Sequence, residues 1–279
     1  MRVVITGHKG QLGQALQQEL GSEELYGLDL PEYDITDPAT IGEAITSLHP
    51  EVVIHTAAMT DVDGCERNPD LAFRVNALGT HNIALACGRC GATMVHISTN
   101  EVFDGTLGRP YYEWDPPSPR SMYAQSKAAA ELSVRTLLHR FYIVRTAWLY
   151  ARGGSNFVTK IIAAADRHGA LRVVTDEVSS PTYAPDLARA IVQLLRTGHY
   201  GIYHLTNSGF CSRYDWARKI LDLSGRAHIA VEPITTLQWS RAAPPPLYSP
   251  LANLMGAALG ITLRPWEEAL QDYFASYEL

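Results

Sequence analysis

The stretch that most limits what this chain can become is its first twenty residues. Arg2–Thr6 (RVVIT) is a short β-branched run and reads as a buried strand. It passes straight into Gly7-His8-Lys9-Gly10-Gln11-Leu12-Gly13, a G-x-x-G-x-x-G, while Leu12, Ala15, Leu16 and Leu20 recur at helical spacing. A bare glycine motif says little. Strand, glycine loop and amphipathic helix in immediate succession are the context in which such glycines serve a dinucleotide. Gly7, Gly10 and Gly13 permit the tight turn and the close approach of backbone to a pyrophosphate, and the helix N-terminus adds free N–H groups and positive dipole.

The pattern repeats along the first half. Leu25–Asp29, Glu51–Thr56, Thr93–Ile97 and Phe141–Arg145 read as further strands. Between them lie helical stretches: one opened by Asp37-Pro38, with Asp as N-cap and Pro at the first position, one over Asp70–Cys90, and one from about Tyr123 to Arg140. Strands separated by helices imply right-handed βαβ units and a parallel sheet. The fold class is therefore α/β, a doubly wound parallel Rossmann-type sheet, which binds ligands at the carboxyl ends of its strands. Later elements are less regular: helices Ser155–His168, Pro185–Thr197, Ser212–Ser224 and Trp266–Tyr277, strands Leu171–Val174 and Gly201–His204. The expected division is a dinucleotide-binding domain over 1–150, rejoined by parts of 170–205, and a smaller, discontinuous C-terminal substrate-binding lobe over 151–279.

Asp29 ends the second strand, where an acid accepts bonds from the adenosine ribose and disfavours a 2′-phosphate. His8 and Lys9 would welcome that phosphate, so NAD(H) and NADP(H) both stay open. Composition narrows the rest. The 279 residues carry 23 Lys plus Arg against 29 Asp plus Glu, a net charge of −6 that argues against non-specific nucleic-acid binding. No run approaches the ~18 apolar residues of a membrane span, and the N-terminus is too short in apolar residues for a signal peptide. A cytoplasmic location is expected. Cys87-Gly-Arg-Cys90 has redox spacing but closes an expected helix, where the dipole has the wrong sign to make a reactive thiolate. With Cys65 and Cys211 standing alone, no metal site is expected.

Tyr123-Ala-Gln-Ser-Lys127 puts a phenol and an ammonium on one helix face. A free Tyr has a pKa of about 10, and a neighbouring ammonium is expected to lower it, which suits general acid catalysis at a carbonyl oxygen. Ser98 or Thr99, at the end of the fourth strand, could bond the same oxygen.

These residues, with the segments ITGHKGQLGQAL, EVVIHTAAMTDVDGCERNPDLAFRVNALG, VHISTNEVFDG, YAQSKAAAE, RTAWLY, SSPTYAPDLA and GIYHLTNSG, resemble the extended short-chain dehydrogenase/reductases. Within these the chain resembles the dTDP-4-dehydrorhamnose reductase family over nearly its whole length. The resemblance implies that Gly7, Gly10, Gln11, Leu12 and Gly13 line the pyrophosphate. Asp34 and Ile35 would flank the adenine, and Ala57, Ala58 and Thr60 the nicotinamide ribose. Thr99, Tyr123 and Lys127 would form the catalytic trio, Lys127 also holding ribose hydroxyls. Trp148 and Asn156 would face a nucleotide-sugar substrate, with Asn100, Glu101, Phe103 and Arg241 in the same neighbourhood. The implied reaction is reduction of the C4 ketone of a dTDP-6-deoxyhexose, and a homodimer is compatible with the superfamily.

Two positions depart from the family. Its S-T-D-Y-V-F is here Ser98-Thr99-Asn100-Glu101-Val102-Phe103, and dehydratases of the superfamily carry a Glu where Glu101 stands. Glu101 is thus either an added acid/base, with dehydration, epimerisation or reductive rearrangement as alternative reactions, or a solvated loop carboxylate. The Arg that usually precedes the Pro near the diphosphate is missing, with Arg241 three residues upstream as its substitute. Trp148 has core packing as its plain alternative. A non-catalytic regulatory subunit of the same fold is the alternative outside enzymes, and the intact trio argues against it.

Overall fold

Branched apolar residues facing both ways account for the sheet. In β1 (Arg2–Thr6) Val3 and Ile5 enter one hydrophobic cluster and Val4 another, all three buried. A strand apolar on both faces needs cover on both. The structure, a computed structural model that describes residues 1–275, supplies it. From β1 the chain enters α1 (Gln11–Glu19), β2 (Glu24–Leu28) and α2 (Pro38–Leu48), the last capped by Asp37 as the sequence predicts. Next comes β3 (Val52–His55), then α3 (Val62–Arg67), α4 (Pro69–Ala72), a π-helical turn over Phe73–Gly79, and α5 (Thr80–Cys90). The single helix expected over Asp70–Cys90 is thus widened in its first half. The wide turn goes with an internal brace: Asn76 accepts the Met59 N–H at 2.8 Å and donates to the Met59 carbonyl at 3.1 Å, fixing the loop after β3. Gly91, at φ +72°, ends α5, and the Cys87 thiol is pushed up by burial, as an inert packed thiol should be.

After β4 (Thr93–Thr99) come α6 (Met122–Leu137), β5 (Phe141–Thr146), β6 (Leu149–Tyr150), α7 (Phe157–His168) and β7 (Ala170–Val174). Then follow β8 (Val178–Ser179), β9 (Thr182–Tyr183), α8 (Ala184–Leu195), β10 (Gly201–His204) and β11 (Cys211–Ser212). The chain continues through α9 (Arg213–Leu223), β12 (Ala230–Ile234), α10 (Leu254–Ala258) and α11, described from Trp266 to Ala275. The expected end of that helix at Tyr277 lies outside the described residues.

The main sheet has six parallel strands in the order β10-β5-β4-β3-β1-β2. The chain winds one way from β1 to β2 and the other way from β3 onward, so the order reverses between β1 and β3. Ligands of such sheets bind at that reversal, outside the strands' carboxyl ends. Helices α1 and α8 cover one face, α2, α5 and α6 the other. A separate cluster gathers α7, α9 and α11 around the fully buried Trp216. β7 pairs in parallel with β12, whose polar and Pro-containing sequence AVEPI gives no strand signal.

Candidate active site

The carboxyl ends of the strands open into one cavity of about 1780 Å³, which runs from the glycine loop past the end of β4 to residues 213 and 241. At its first end the walls are backbone. Gly7 sits at φ +72°, and a Cβ there would lie 2.6 Å from the Ala57 nitrogen. A Cβ on Gly13 would lie 2.4 Å from the Gly7 carbonyl, so Gly13 lets helix and loop close on each other rather than lining the cavity itself. Gly10 is the N-cap of α1 and caps it with no side chain. This leaves the first-turn N–H groups to whatever enters, the arrangement an anionic pyrophosphate needs.

Asp29 follows β2 by one residue rather than ending it, and accepts the Lys9 N–H at 3.0 Å and the Leu30 N–H at 2.8 Å. The Lys9 ammonium donates to the Leu30 carbonyl at 2.7 Å. Asp34 accepts the Thr36 N–H, and Ile35 packs its side chain inward against Gly79 while Asn82 donates to its carbonyl. Ala57, Ala58 and Thr60 line the cavity after β3, with Leu12 and Gln11 opposite. Gln11 also reaches across to the later segment: its Oε1 accepts the Ala151 N–H at 2.8 Å and an Asn156 amide proton at 3.1 Å.

In the middle stand Thr99, Tyr123 and Lys127, brought together as the sequence predicts. Ser121 caps α6 by accepting the Ala124 N–H, which sets Tyr123 and Lys127 one turn apart beside the end of β4. Lys127 is buried and donates to the Ile97 carbonyl at 2.7 Å, with the His96 Nε2 at 3.5 Å. Burial pushes its pKa down to about 8, partly opposed by Glu131. Burial, with Lys127 nearby, holds both His55 and His96 well below the usual histidine range, hence neutral. The expected acidification of Tyr123 by Lys127 does not hold. Burial pushes the phenol up, Glu101 pushes it further, and only its contact with Thr99 pulls the other way. Desolvation of the buried phenol dominates, and Lys127 exerts no pull that counters it. Below the trio, Glu131 takes both Arg145 nitrogens at 2.8 and 2.7 Å and the Ser98 hydroxyl at 2.6 Å, a buried ion pair.

The far end is built from long side chains. Arg213 lies 3.7 Å over the Trp148 ring and pairs with Glu177 at 2.9 Å. Arg241 pairs with Asp63 at 3.4 Å and reaches Glu177 at 3.8 Å. Trp148 holds φ +42° and stacks on Trp216 at 5.4 Å, so it is both packed and part of the cavity wall. Glu101 lines the cavity; burial and the neighbouring Glu177 raise its pKa to about 7, against the pull of Arg241 and Arg213. It is no solvated loop carboxylate.

Of the expected sugar-facing residues Phe103 turns elsewhere, while Asn100 and Asn156 line the cavity but spend their amide protons on the protein. Phe103 is buried away from the cavity, stacked on Tyr111 at 4.2 Å: the turn over Asn100–Val102 carries it into the core. Asn100 donates to Ser249 at 2.7 Å and Ser179 at 3.2 Å, tying β4 to distant loops. Asn156 caps α7 and spends both amide protons on Ala151 and Gln11. Conversely, Glu177, Arg213 and Asp63 went unnoticed in the sequence. Each is a lone charged residue whose only signal is a partner far along the chain.

The family model for the RmlD substrate binding domain matches residues 1–279. The chain is 41% identical to the dTDP-4-dehydrorhamnose reductase of Mycobacterium tuberculosis, covering 99% of this chain and 93% of that one. The chain belongs to the dTDP-4-dehydrorhamnose reductase family. It is also 39% identical to the spore coat polysaccharide biosynthesis protein SpsK of Bacillus subtilis, over 98% of this chain and 96% of that one. Among solved structures, the dTDP-4-dehydrorhamnose reductase of Bacillus anthracis in complex with NADP superposes with a TM-score of 0.95 at 38% identity, each chain covered to 99%. The family's fold is the six-stranded parallel sheet described above, and no helix among the described residues is long and apolar enough to cross a membrane.

Proposed function

We propose that this protein reduces the C4 ketone of a dTDP-linked 6-deoxyhexose, of the dTDP-4-dehydro-L-rhamnose type, with a nicotinamide dinucleotide as reductant. The observation that carries the reading is the Thr99–Tyr123–Lys127 group, its Thr99 and Lys127 buried and its Tyr123 half-buried at the cavity wall, standing between a backbone-built phosphate cradle and an end rich in guanidinium groups. The dinucleotide fits the first end on structural grounds. Side chains at Gly7 and Gly13 would collide with backbone, and α1 opens with an uncapped N-terminus. Gly7, Gly10, Gln11 and Leu12 would hold its pyrophosphate, Asp34 and Ile35 its adenine, and Ala57, Ala58 and Thr60 its nicotinamide ribose. When bound, it supplies the hydride.

The chain's own part is proton and position. Tyr123 holds its proton firmly in the buried site and delivers it to the carbonyl oxygen as charge builds there. An alkoxide is a far stronger base than a phenolate, so a phenol of raised pKa still donates downhill. Thr99 hydrogen-bonds the same oxygen. Lys127, anchored on the Ile97 carbonyl with His96 Nε2 at 3.5 Å, lines the cavity and would give a remaining proton to the ribose hydroxyls. Arg213 and Arg241 offer guanidinium groups to a diphosphate, and Trp148 a flat face to the sugar or base. The first lobe, 1–150 with α8 and β10, would carry the coenzyme, and the cluster of α7, α9 and α11 the sugar nucleotide. The test is oxidation of NADPH and of NADH by purified protein with dTDP-4-dehydro-L-rhamnose. Ketone-dependent turnover is expected; none with either coenzyme would reject the reading.

A further inference from the structure

Between the catalytic hydroxyls and the paired arginines stands a carboxyl without a bond. Glu101 follows Thr99 by two residues, and its N–H donates to the Thr99 Oγ1 at 3.2 Å. Its side chain lines the cavity with Tyr123, and its Oε2 is closed off from water with no hydrogen-bond partner. The nearby guanidiniums are engaged elsewhere, Arg213 with Glu177 and Arg241 with Asp63. A buried acceptor without a partner is costly, and the cavity that the side chain lines is where a ligand hydroxyl can reach the carboxyl. Resting on the reductase reading, Tyr123 marks where the ketone oxygen goes, so Glu101 meets the atoms beside it. In a 4-keto-6-deoxyhexose the two carbons flanking the ketone differ: C5 carries a methyl and the ring oxygen, C3 a hydroxyl. We propose that Glu101 is a specificity-determining residue that bonds the C3 hydroxyl, so that the preferred substrates are nucleotide-linked 4-keto-6-deoxyhexoses with that hydroxyl free. Burial raises its pKa to about 7, with Glu177 and Asp63 adding to the rise and Arg241 and Arg213 opposing it, so near neutrality the carboxyl exists in both forms; it accepts from a hydroxyl in one and donates in the other.

The experiment compares kcat/KM for a dTDP-4-keto-6-deoxyhexose and for its 3-deoxy counterpart, in wild type, E101L and E101Q. Wild type is expected to prefer the hydroxylated ketone by about 10–100-fold, the worth of one hydrogen bond to a charged group. E101L is expected to bring the two ketones within about 3-fold of each other, by loss on the hydroxylated one alone, while the amide of E101Q keeps most of the preference. Should E101L not fold, E101Q and the 3-O-methyl ketone decide: the methyl ether must be a poor substrate for wild type. Equal losses on both ketones in E101L overturn the inference. So does deuterium from heavy water entering C3 or C5 in wild type but not in E101Q, which would make Glu101 an acid/base. Wild type inactive on both ketones instead breaks the reductase reading itself.

Discussion

The two ends of the cavity are made of different material. At the glycine loop, recognition falls to main-chain N–H groups and small residues from the ends of neighbouring strands, and a side chain at Gly7 or Gly13 would collide with backbone. At the opposite end it falls to Arg213, Arg241, Glu177, Glu101 and Trp148, which come from five separate stretches of chain. Backbone recognition suits a group shared by many enzymes, because its geometry is bought once with glycines. Side-chain recognition suits a sugar that differs between relatives, since each contact can change without disturbing the fold.

The sharpest division is expected where the ends meet. Tyr123→Phe removes only the phenol oxygen. It is expected to lower kcat by about 10²–10⁴-fold, the usual weight of a positioned acid, while NADPH affinity by calorimetry stays at the wild-type value. Survival of wild-type turnover would remove Tyr123 from its role.

Gly7→Ala tests the backbone end. It forces a side chain onto a backbone at φ +72° with the Ala57 nitrogen 2.6 Å from the new carbon. A loss of about 1–3 kcal/mol in stability is expected from strain of that kind, with coenzyme affinity falling too. His8→Ala, which changes a side chain of the same loop, is expected to leave affinity within about 3-fold. The comparison breaks if fluorescence titration shows His8→Ala to be the more damaging.

What the sequence revealed follows the same division. The glycine loop, the Asp37 cap and the Tyr123–Lys127 spacing are local: three glycines at fixed offsets, one cap, one helical turn. Each is dictated by the geometry of a single element, so a short window suffices to read it. Arg241 and Asp63 are 178 residues apart, and Asn100 meets Ser249 across 149. No window holds those pairs. Phe103 misled for a related reason: it lies one residue beyond the 3₁₀ turn that follows Thr99, and that turn, not the motif, decides which way it points. The π-helical turn was equally hidden, since its only mark is Asn76 reaching back to Met59.

Arg213→Ala probes the side-chain end. It removes a guanidinium held 3.7 Å over Trp148 and leaves Glu177 to Arg241 alone. A hydrogen bond from the guanidinium to a diphosphate is worth about 1.5–3 kcal/mol, so KM for the sugar nucleotide is expected to rise at least about 10-fold with the KM for NADPH unmoved. Equal shifts in both constants, from initial rates with each substrate varied in turn, would mean that the two ends are not separate.

The smallest effect concerns what the side-chain end costs the empty protein. In the folded state the Glu101 carboxyl titrates at about 7, above its ordinary value of 4.5. The native state therefore binds more protons than the unfolded chain between those values, and stability falls as pH rises through that window. Below about 4.5 the carboxyl is neutral in both states and the cost vanishes; above about 7 it is ionised in both and the cost is complete. Gln carries no such slope. The Tm of E101Q should match wild type near pH 4.5 and exceed it increasingly towards pH 8, by about 2–4 °C if the cost is near 1 kcal/mol. An offset that stays constant across that range would mean the carboxylate is already satisfied in the empty cavity. The sugar end would then be as fully preorganised as the glycine loop, and the contrast between the two would reduce to which atoms each presents.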